Sequence, residues 1–466
     1  MPAPDKFKPG KPTTWSCRTV ALHTLLTVER QNVFADDTFH ELANKSQLSK
    51  EDRALGFELV NGVLRHRGNL DWRLTALTNR PLLGLPTIVV MILRLGAYQL
   101  LFLDRVPDSA AVNESVKLAK RVKGRDWSGV VNGVLRNLLR QTEPQWPDPS
   151  EDPVHALSIR DSCPTWLTQR WIDRLGFDQA ERVCQQTIGI PPLTVRTNTL
   201  RCSREMLKER LQKEGYGVTP TEVSPLGLTL DKCGSLTTLA PLQDGWCYVE
   251  DEAAQLVPFL LDVQPGHRVL DACAAPGGKS THIAALMGNQ GEIVAVDRSA
   301  NRLQVLQENV DRLGITCIRA MVGTWSEGFG SSSPVAPMLE NGFDRILVDT
   351  PCSGLGILRR HPEAKWQRSA EQLPQHQKIQ IEILHQVCTY LRPGGILVYS
   401  ACSVEPEEST QVISRFCLDH PEFQHESSAP FLPPGSQTLT SPEGDLLTLG
   451  SIYDMDGFFA ARLRKA

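Results

Sequence analysis

Two cysteines fifty residues apart carry the strongest chemical signal in this 466-residue chain: Cys352 in Asp349-Thr-Pro-Cys-Ser and Cys402 in Tyr399-Ser-Ala-Cys-Ser. Each follows an apolar run with strand character, Arg345-Ile-Leu-Val-Asp and Gly395-Ile-Leu-Val-Tyr. Both are therefore expected at carboxyl ends of strands, where open α/β sheets keep their chemistry. Upstream, the turn Asp271-Ala-Cys-Ala-Ala-Pro-Gly-Gly-Lys supplies small residues and glycines that let backbone approach a ligand closely before a helix begins near Lys279. The next strand, Val294-Ala-Val-Asp297, ends in a carboxylate able to accept both hydrogen bonds of a ribose diol.

A thiol pair beside a nucleotide-like cofactor suits covalent catalysis on a poor nucleophile. A thiolate added to carbon 6 of a cytosine makes the ring an enamine, whose carbon 5 can attack the methyl group of a sulfonium cofactor; one hard step becomes two easier ones. A second acid/base group must then remove the carbon-5 proton and let the thiol leave. Asp349 stands where it could hydrogen-bond the ring edge. Burial in a sheet would explain either cysteine alone, but the repeated Cys-Ser after two strand ends argues against that for the pair. A rival phosphate-loop reading rests on Gly278-Lys-Ser and the acidic strand Arg345–Asp349. Cys273, at the position of the loop's first glycine, argues against it. The turn is not G-x-G-x-x-G either, which weakens the case for a nicotinamide cofactor.

These residues need a scaffold. From about residue 246 the pattern alternates strand, turn and helix, with strands at 268–271, 292–297, 345–349 and 395–400, predicting a mostly parallel doubly wound sheet over 246–466. Two Gly/Ser/Pro-rich surface insertions are expected, at 326–341 and about 423–450. Residues 16–142 show helical apolar periodicity, for example Ile92-Leu-Arg-Leu-Gly-Ala-Tyr-Gln-Leu-Leu-Phe-Leu. The Pro- and acid-rich stretch 143–164 is expected to be a linker. Residues 165–245 then mix helices near 165–175 and 203–214 with strands at Leu193-Thr-Val-Arg-Thr-Asn and Leu226-Gly-Leu-Thr-Leu, a small α+β subdomain. Residues 1–15 are expected to be a disordered tail.

With 41% hydrophobic and 22% charged residues the composition is that of a globular protein. No apolar run reaches the roughly 18 residues of a membrane span. The twelve cysteines include no C-x-x-C pair; no metal site is expected, and a reducing cytoplasm fits them better than a disulfide framework. Net charge is -4, yet residues 51–140 hold 14 Lys+Arg against 8 Asp+Glu. A basic module on an acidic body suggests a polyanionic partner, although a solvated helical surface explains the charge alone equally well.

Five segments resemble one family closely: Asp271-Ala-Cys-Ala-Ala-Pro-Gly-Gly-Lys, Asp349-Thr-Pro-Cys-Ser, Arg359-Arg-His-Pro-Glu-Ala-Lys-Trp, Cys402-Ser-Val-Glu-Pro-Glu-Glu and Asp456-Gly-Phe-Phe-Ala. They are similar to the bacterial RNA 5-methylcytosine methyltransferases of the NOL1/NOP2/Sun family, and the helical front half resembles the antitermination factor NusB. The resemblance implies an all-α NusB-like domain, a small α+β subdomain and a Rossmann-like S-adenosylmethionine methyltransferase domain. It implies methylation of carbon 5 of one 16S ribosomal RNA cytosine, that at position 967, with naked RNA or a small-subunit precursor as partner, by a monomer. Cys402 would add to carbon 6, Cys352 would assist release of the product, and Asp349 would contact the base with Lys279 close by. S-adenosylmethionine would lie against Cys273, Ala274, Ala275, Pro276, Gly277, Gly278 and Lys279, with Asp297 on its ribose and Arg302, Thr324 and Asp349 nearby. Three positions depart from the pattern. Thr350 replaces the usual Ala and Ala401 the usual Thr, both small; Gly323-Thr324 replaces Gly-Asp, leaving at best an uncharged hydrogen bond to the adenine.

Several residues remain open between roles. Arg359, Arg360 and Lys365 could clamp RNA phosphates or be solvated surface cations. Trp366 could stack on a base or plug a core. Arg196 and Asn198 could face RNA or cap the small sheet, and His361 is a weak acid/base candidate. A transfer RNA methyltransferase shares the same motifs; a non-catalytic RNA-binding assembly or antitermination factor would not need both cysteines, Asp349, Lys279 and Asp297 together.

Overall fold

The computed structural model describes residues 15–78, 81–141, 143–231, 236–325, 335–449 and 453–466. The expected tail lies outside the described residues except for Trp15, as does most of the expected insertion at 326–341. The chain divides into two compact units, Met1–Ile190 with Leu358–Ala370, and Pro191–Ile357 with Glu371–Ala466.

The first unit is helical. Its central helix, Thr87–Phe102, is apolar around nearly its whole circumference and is buried by the helices Cys17–Gln31, Lys50–Arg65, Arg67–Thr75, Asp108–Lys120 and Ser128–Arg140. Ser16 and Ser49 cap the first and third helices of the unit, accepting the N–H groups of Thr19 and Asp52. The one charge on the buried face, Arg94, is held bidentately by Asp71 at 2.7 Å. Gly62 allows the close approach of Lys50–Arg65 to the central helix, since a Cβ there would meet the Tyr98 ring at 1.9 Å.

The unit extends further than its sequence suggested. The stretch 143–164, expected as a linker, contains the helix Pro153–Arg160, capped by Asp152 and packed on Arg67–Thr75, and the Asn69 N–H donates to Ser162 Oγ at 2.9 Å. Thr165–Leu175 and Phe177–Ile188 follow it in the same unit, burying Leu167, Trp171, Ala180 and Val183. Their apolar stripes, hidden behind an acidic, proline-rich start, draw the boundary to residue 190.

The second unit holds two sheets. Four antiparallel strands, β1 (Leu193–Thr197), β2 (Gly217–Pro220), β3 (Gly227–Asp231) and β4 (Cys247–Val249), order as β2-β3-β1-β4 with helix Arg204–Lys213 packed against β2 and β3. The larger sheet contains β5 (Arg268–Asp271), β6 (Glu292–Asp297), β7 (Ile318–Val322), β8 (Phe343–Asp349), β9 (Leu391–Ala401), β10 (Phe423–Glu426), β11 (Leu446–Leu447) and β12 (Phe459–Lys465). Its order is β10-β12-β9-β8-β5-β6-β7, with β11 on β12. Strands β9 to β7 along this path are parallel, and β12 joins β9 antiparallel. The connections run one way from β5 through β6 to β7 and resume on its other side at β8. This places a topological switch between β5 and β8, the crevice where such sheets bind ligands. The region about 423–450 is not a surface insertion throughout. Phe423–Glu426 is a sheet strand, drawn in because Glu426 accepts from both Arg462 and Arg464 on β12.

Candidate active site

The switch point determines what meets there. Asp271 ends β5 opposite Leu347 of β8, and the Ala272 N–H donates to the Leu347 carbonyl at 2.9 Å. Asp349 ends β8 opposite Ser400 of β9, and the Thr350 N–H donates to the Ser400 carbonyl at 2.9 Å. Cys352 and Cys402 thus leave adjacent parallel strands on one edge, and their sulfurs lie 2.7 Å apart, both free thiols. Lys279, in the first turn of helix Gly278–Leu286, reaches Asp349 Oδ2 at 2.7 Å while the Ser400 hydroxyl donates to Oδ1 at 2.7 Å. The structure therefore brings Cys402, Cys352, Asp349 and Lys279 together. Sequence reading had not singled out Ser400, which orients the Asp349 carboxylate.

The charges are coupled. Burial alone would lower the Lys279 ammonium, but the Asp349 charge and hydrogen bond, with Glu250 and Cys402 beyond, outweigh it and raise its pKa. Its ammonium also lies 5.0 Å from the Phe458 ring centre, in the Asp456-Gly-Phe-Phe-Ala segment. The Cys352 thiol is pushed well above its ordinary value by its hydrogen bond with Cys402, by burial and by the Cys402 and Glu408 charges. Asp271 is pushed up to about 7, chiefly by burial, against the Ser280 hydroxyl bonded to it at 2.6 Å.

The loop Cys273–Lys279 bends tightly over the ends of β5 and β6. Ala274 N–H bonds to the Val296 carbonyl at 2.9 Å, the Ala275–Pro276 peptide is cis, and Gly277 adopts φ +104°. A Cβ on Gly277 would meet Leu306 at 2.9 Å, and one on Gly278 would meet Glu250 Oε1 at 2.8 Å, so neither position admits a side chain without movement. Asp297 is buried at the end of β6, accepting the N–H groups of Ala275 at 3.2 Å and Ser299 at 2.9 Å. Arg302 donates to the Ala275 carbonyl, bracing the loop. Gly323 N–H bonds to the Asp297 carbonyl at 3.0 Å, which sets Thr324 beside the end of β6. A loop without bulky side chains, a helix N-terminus and a fixed carboxylate fit a nucleoside cofactor. The buried Asp271 Oδ1 has no hydrogen-bond partner beneath this loop.

Other sequence candidates fall elsewhere. Arg196 is 2% exposed and bonds Glu250 at 2.6 Å and Thr281 Oγ1 at 2.9 Å, tying the small sheet to the helix that carries Lys279. Asn198, also buried, donates to the carbonyls of Gly245 and Leu313. Neither faces RNA; both link the small sheet to the parallel-sheet layer. The segment carrying Arg359, Arg360, His361, Lys365 and Trp366 belongs to the helical unit. Lys365 is fully buried, bonding the Arg65 carbonyl at 3.1 Å, and Trp366 Nε1 donates to the Leu64 carbonyl at 2.8 Å. A phosphate clamp by Lys365 is ruled out by this burial, and Trp366 is an anchor of the unit. The Arg359 carbonyl accepts from Arg65, and the His361 ring lies 5.3 Å from that of Phe34.

Comparison with known proteins divides the chain into three family models, the middle one crossing the boundary between the two compact units. The model for 16S rRNA methyltransferase RsmB/F matches residues 258–464, that for the NusB family residues 16–140, and that for an RsmF/B-like ferredoxin-like domain residues 163–237. "Probable ribosomal RNA small subunit methyltransferase B" of Bacillus subtilis (strain 168) is 34% identical over 97% of this chain and 99% of its own. Ribosomal RNA small subunit methyltransferase B of Citrobacter koseri is 34% identical over 96% of this chain and 98% of its own. The solved structure of PH0851, 24% identical, shares the fold over 99% of this chain and 100% of its own, with a TM-score of 0.79. The chain therefore belongs to the RsmB/F family of 16S rRNA methyltransferases, S-adenosylmethionine-dependent RNA methyltransferases.

Proposed function

We propose that this protein methylates carbon 5 of a single cytosine of 16S ribosomal RNA, the one at position 967, through a covalent bond between Cys402 and carbon 6. The observation that carries this reading is the contact of the Cys352 and Cys402 sulfurs beside the Lys279–Asp349 pair, at the carboxyl ends of neighbouring strands. S-adenosylmethionine supplies a methyl group on a sulfonium; Cys273–Lys279, Asp297, Arg302 and Thr324 are the residues proposed to hold it.

The protein's own groups divide the work. Cys402 attacks carbon 6 as a thiolate. Asp349, held by Lys279 and Ser400, presents its carboxyl group to the base edge and keeps the ring in line for attack. After methylation, carbon 5 carries both a methyl group and a proton. Once Cys352 has given up its own proton to solvent, the carbon-5 proton passes to its thiolate, the carbon 5–carbon 6 double bond re-forms, and the carbon 6–sulfur bond breaks with its electron pair returning to Cys402. The target must be unpaired or turned out of its helix for a thiolate to reach carbon 6. The NusB-like half favours ribosomal over transfer RNA as substrate, and the site of action is the cytoplasm.

Denaturing gels with labelled 16S RNA test the assignment. Cys402→Ala should neither methylate nor form an adduct, whereas Cys352→Ala should methylate and then stall as a slow-migrating RNA complex. The opposite pattern reverses the two roles, and turnover without an adduct in either variant removes covalent catalysis.

A further inference from the structure

One buried carboxylate beside the cysteines has no part in this scheme. Glu408 ends the short 3-10 turn Pro406–Glu408, and its side chain is fully buried. Its Oε1 accepts the backbone N–H of Ser353 at 2.7 Å, and its Oε2 accepts the Ser353 hydroxyl. The Gln380 amide lies 3.4 Å from Oε1 and donates to the Pro351 carbonyl at 3.1 Å. The Tyr399 hydroxyl donates to the Glu408 carbonyl at 2.6 Å. These donors are all neutral. Burying a charge on neutral donors is costly, and apolar packing would join two loops at lower cost. What a carboxylate adds is a directed, two-pronged hold on Ser353, the residue next to Cys352, and a negative charge near the Cys352 sulfur.

We propose that Glu408 is a positioning residue for the release step: by holding Ser353 at both backbone and hydroxyl, it fixes the Cys352 sulfur against Cys402. The inference rests on the assignment of Cys352 to release. Its charge acts on the same sulfur in another way. Behind the hydrogen bond with Cys402, burial and the Cys402 charge, Glu408 helps raise the Cys352 thiol. The thiolate becomes a stronger base but needs a higher pH to form, so the charge sets the pH at which release turns on, while the hold on Ser353 sets the geometry. Cys402 faces this pair too, as does Tyr399, itself pushed up by burial and by the charges of Cys352, Glu408, Asp349 and Cys402.

The test uses the full-length protein, labelled 16S RNA and S-adenosylmethionine, and measures decay of the methylated adduct across a pH series. Glu408→Gln keeps the side-chain volume but removes the charge and points an amide donor at Ser353. It should still form adduct and transfer the methyl group, release product roughly tenfold to a hundredfold more slowly through misplacement of one sulfur, and shift the pH midpoint of release downward. Ser353→Ala removes one prong and leaves the charge, so release should slow without a shift in midpoint. Release at the original rate and midpoint in Glu408→Gln overturns the proposal. So does parallel loss of cofactor binding and adduct formation, which marks a merely structural role. Should Glu408→Gln not fold, unchanged release in Ser353→Ala overturns it. A covalent scheme that is itself wrong shows differently, as methylation without any adduct even in Cys352→Ala.

Discussion

Each unit of this protein contains two cysteines beside a lysine, and the two trios differ in what surrounds them. In the helical unit Cys163 and Cys184 are buried and hydrogen-bonded to each other, with Lys365 fully buried beside them. In the α/β unit Cys352 and Cys402 are partly exposed, and Lys279 has Asp349 at 2.7 Å. The lysines respond in opposite directions. Lys365 falls to about 8 because burial outweighs its neighbours, whereas Lys279 rises because a carboxylate meets it. Composition alone does not make a reactive thiol; access and a charge partner do. The first trio is a packing device, and the second sits at a crevice made by the sheet topology.

The largest effect expected from this contrast is on turnover. Cys402→Ala should lower methylation by roughly a thousandfold or more, as loss of a covalent nucleophile does. Cys184→Ala should leave turnover per folded molecule unchanged and lower the melting temperature only. Methylation assays normalised to S-adenosylmethionine-binding sites separate the two. Comparable losses in both variants would erase the distinction.

The lysines sharpen the comparison through pH. Unfolded, Lys365 binds its proton with an ordinary pKa of 10.5; folded, with one of about 8. Between these values the unfolded chain holds more protons, so the stability of the helical unit gains from this residue as pH rises from about 8 towards 10.5, by about 3 kcal/mol in all. Lys279 has the reverse sign: its contribution is complete below 10.5 and is lost as pH climbs through its raised folded value. Lys365→Met should therefore abolish the alkaline gain. Hydrogen exchange of the amides around Leu64–Arg65 and 358–370, followed through that window, measures it; the same gain in the variant would show that Lys365 is not its source.

How much of this was legible beforehand follows from the kind of interaction involved. The strands ending at Asp271, Asp297, Asp349 and Ala401 were readable because apolar runs bounded by turn residues are local signals, and the loop chemistry sat directly behind them. Ser353 and Glu408 were not, although both stand in quoted motifs. Glu405, Glu407 and Glu408 are equivalent in sequence, and only the turn at Pro406 directs Glu408 onto Ser353. The fate of Lys365 was hidden for a related reason. A Lys-Trp pair in a basic segment resembles an RNA-binding surface until its partners, Arg65 and Leu64, are known to lie about three hundred positions earlier. Deleting residues 1–142 would strip Lys365 and Trp366 of those partners, so a truncation at 142 should expose the segment and reduce solubility.

A third test lies at the cofactor loop. Asp297→Ala removes the carboxylate proposed for the ribose diol and, in the same stroke, the acceptor for the Ala275 and Ser299 N–H groups. S-adenosylmethionine affinity measured by calorimetry should fall by about 1.5–3 kcal/mol, the range for hydrogen bonds to a charged group. Affinity equal to that of the unaltered protein would remove Asp297 from the site. Arg302→Ala, which removes only the brace on the Ala275 carbonyl, should cost less.

The smallest expected effect belongs to Thr324, where the family pattern has an aspartate. The Gly323 N–H bonded to the Asp297 carbonyl places Thr324 next to the end of β6 proposed to hold the ribose, so position alone qualifies it to meet the adenine. Its hydroxyl, however, is a neutral acceptor, and neutral hydrogen bonds contribute about 0.5–1.5 kcal/mol, against about 1.5–3 for charged ones. Thr324→Val keeps the shape and removes the hydroxyl, so it should weaken S-adenosylmethionine binding by no more than about 1 kcal/mol. Thr324→Asp restores the charge, but 6%-exposed Asp297 is close by and a second carboxylate at the same strand ends repels it. The gain from a stronger adenine contact is therefore partly cancelled, and affinity should rise at high salt more than at low salt, where the repulsion is less screened. If Thr324→Val binds as tightly as the unaltered protein and Thr324→Asp shows no salt-dependent gain, the adenine is held by backbone alone, and the Asp297 end of the loop carries all the side-chain recognition of the cofactor.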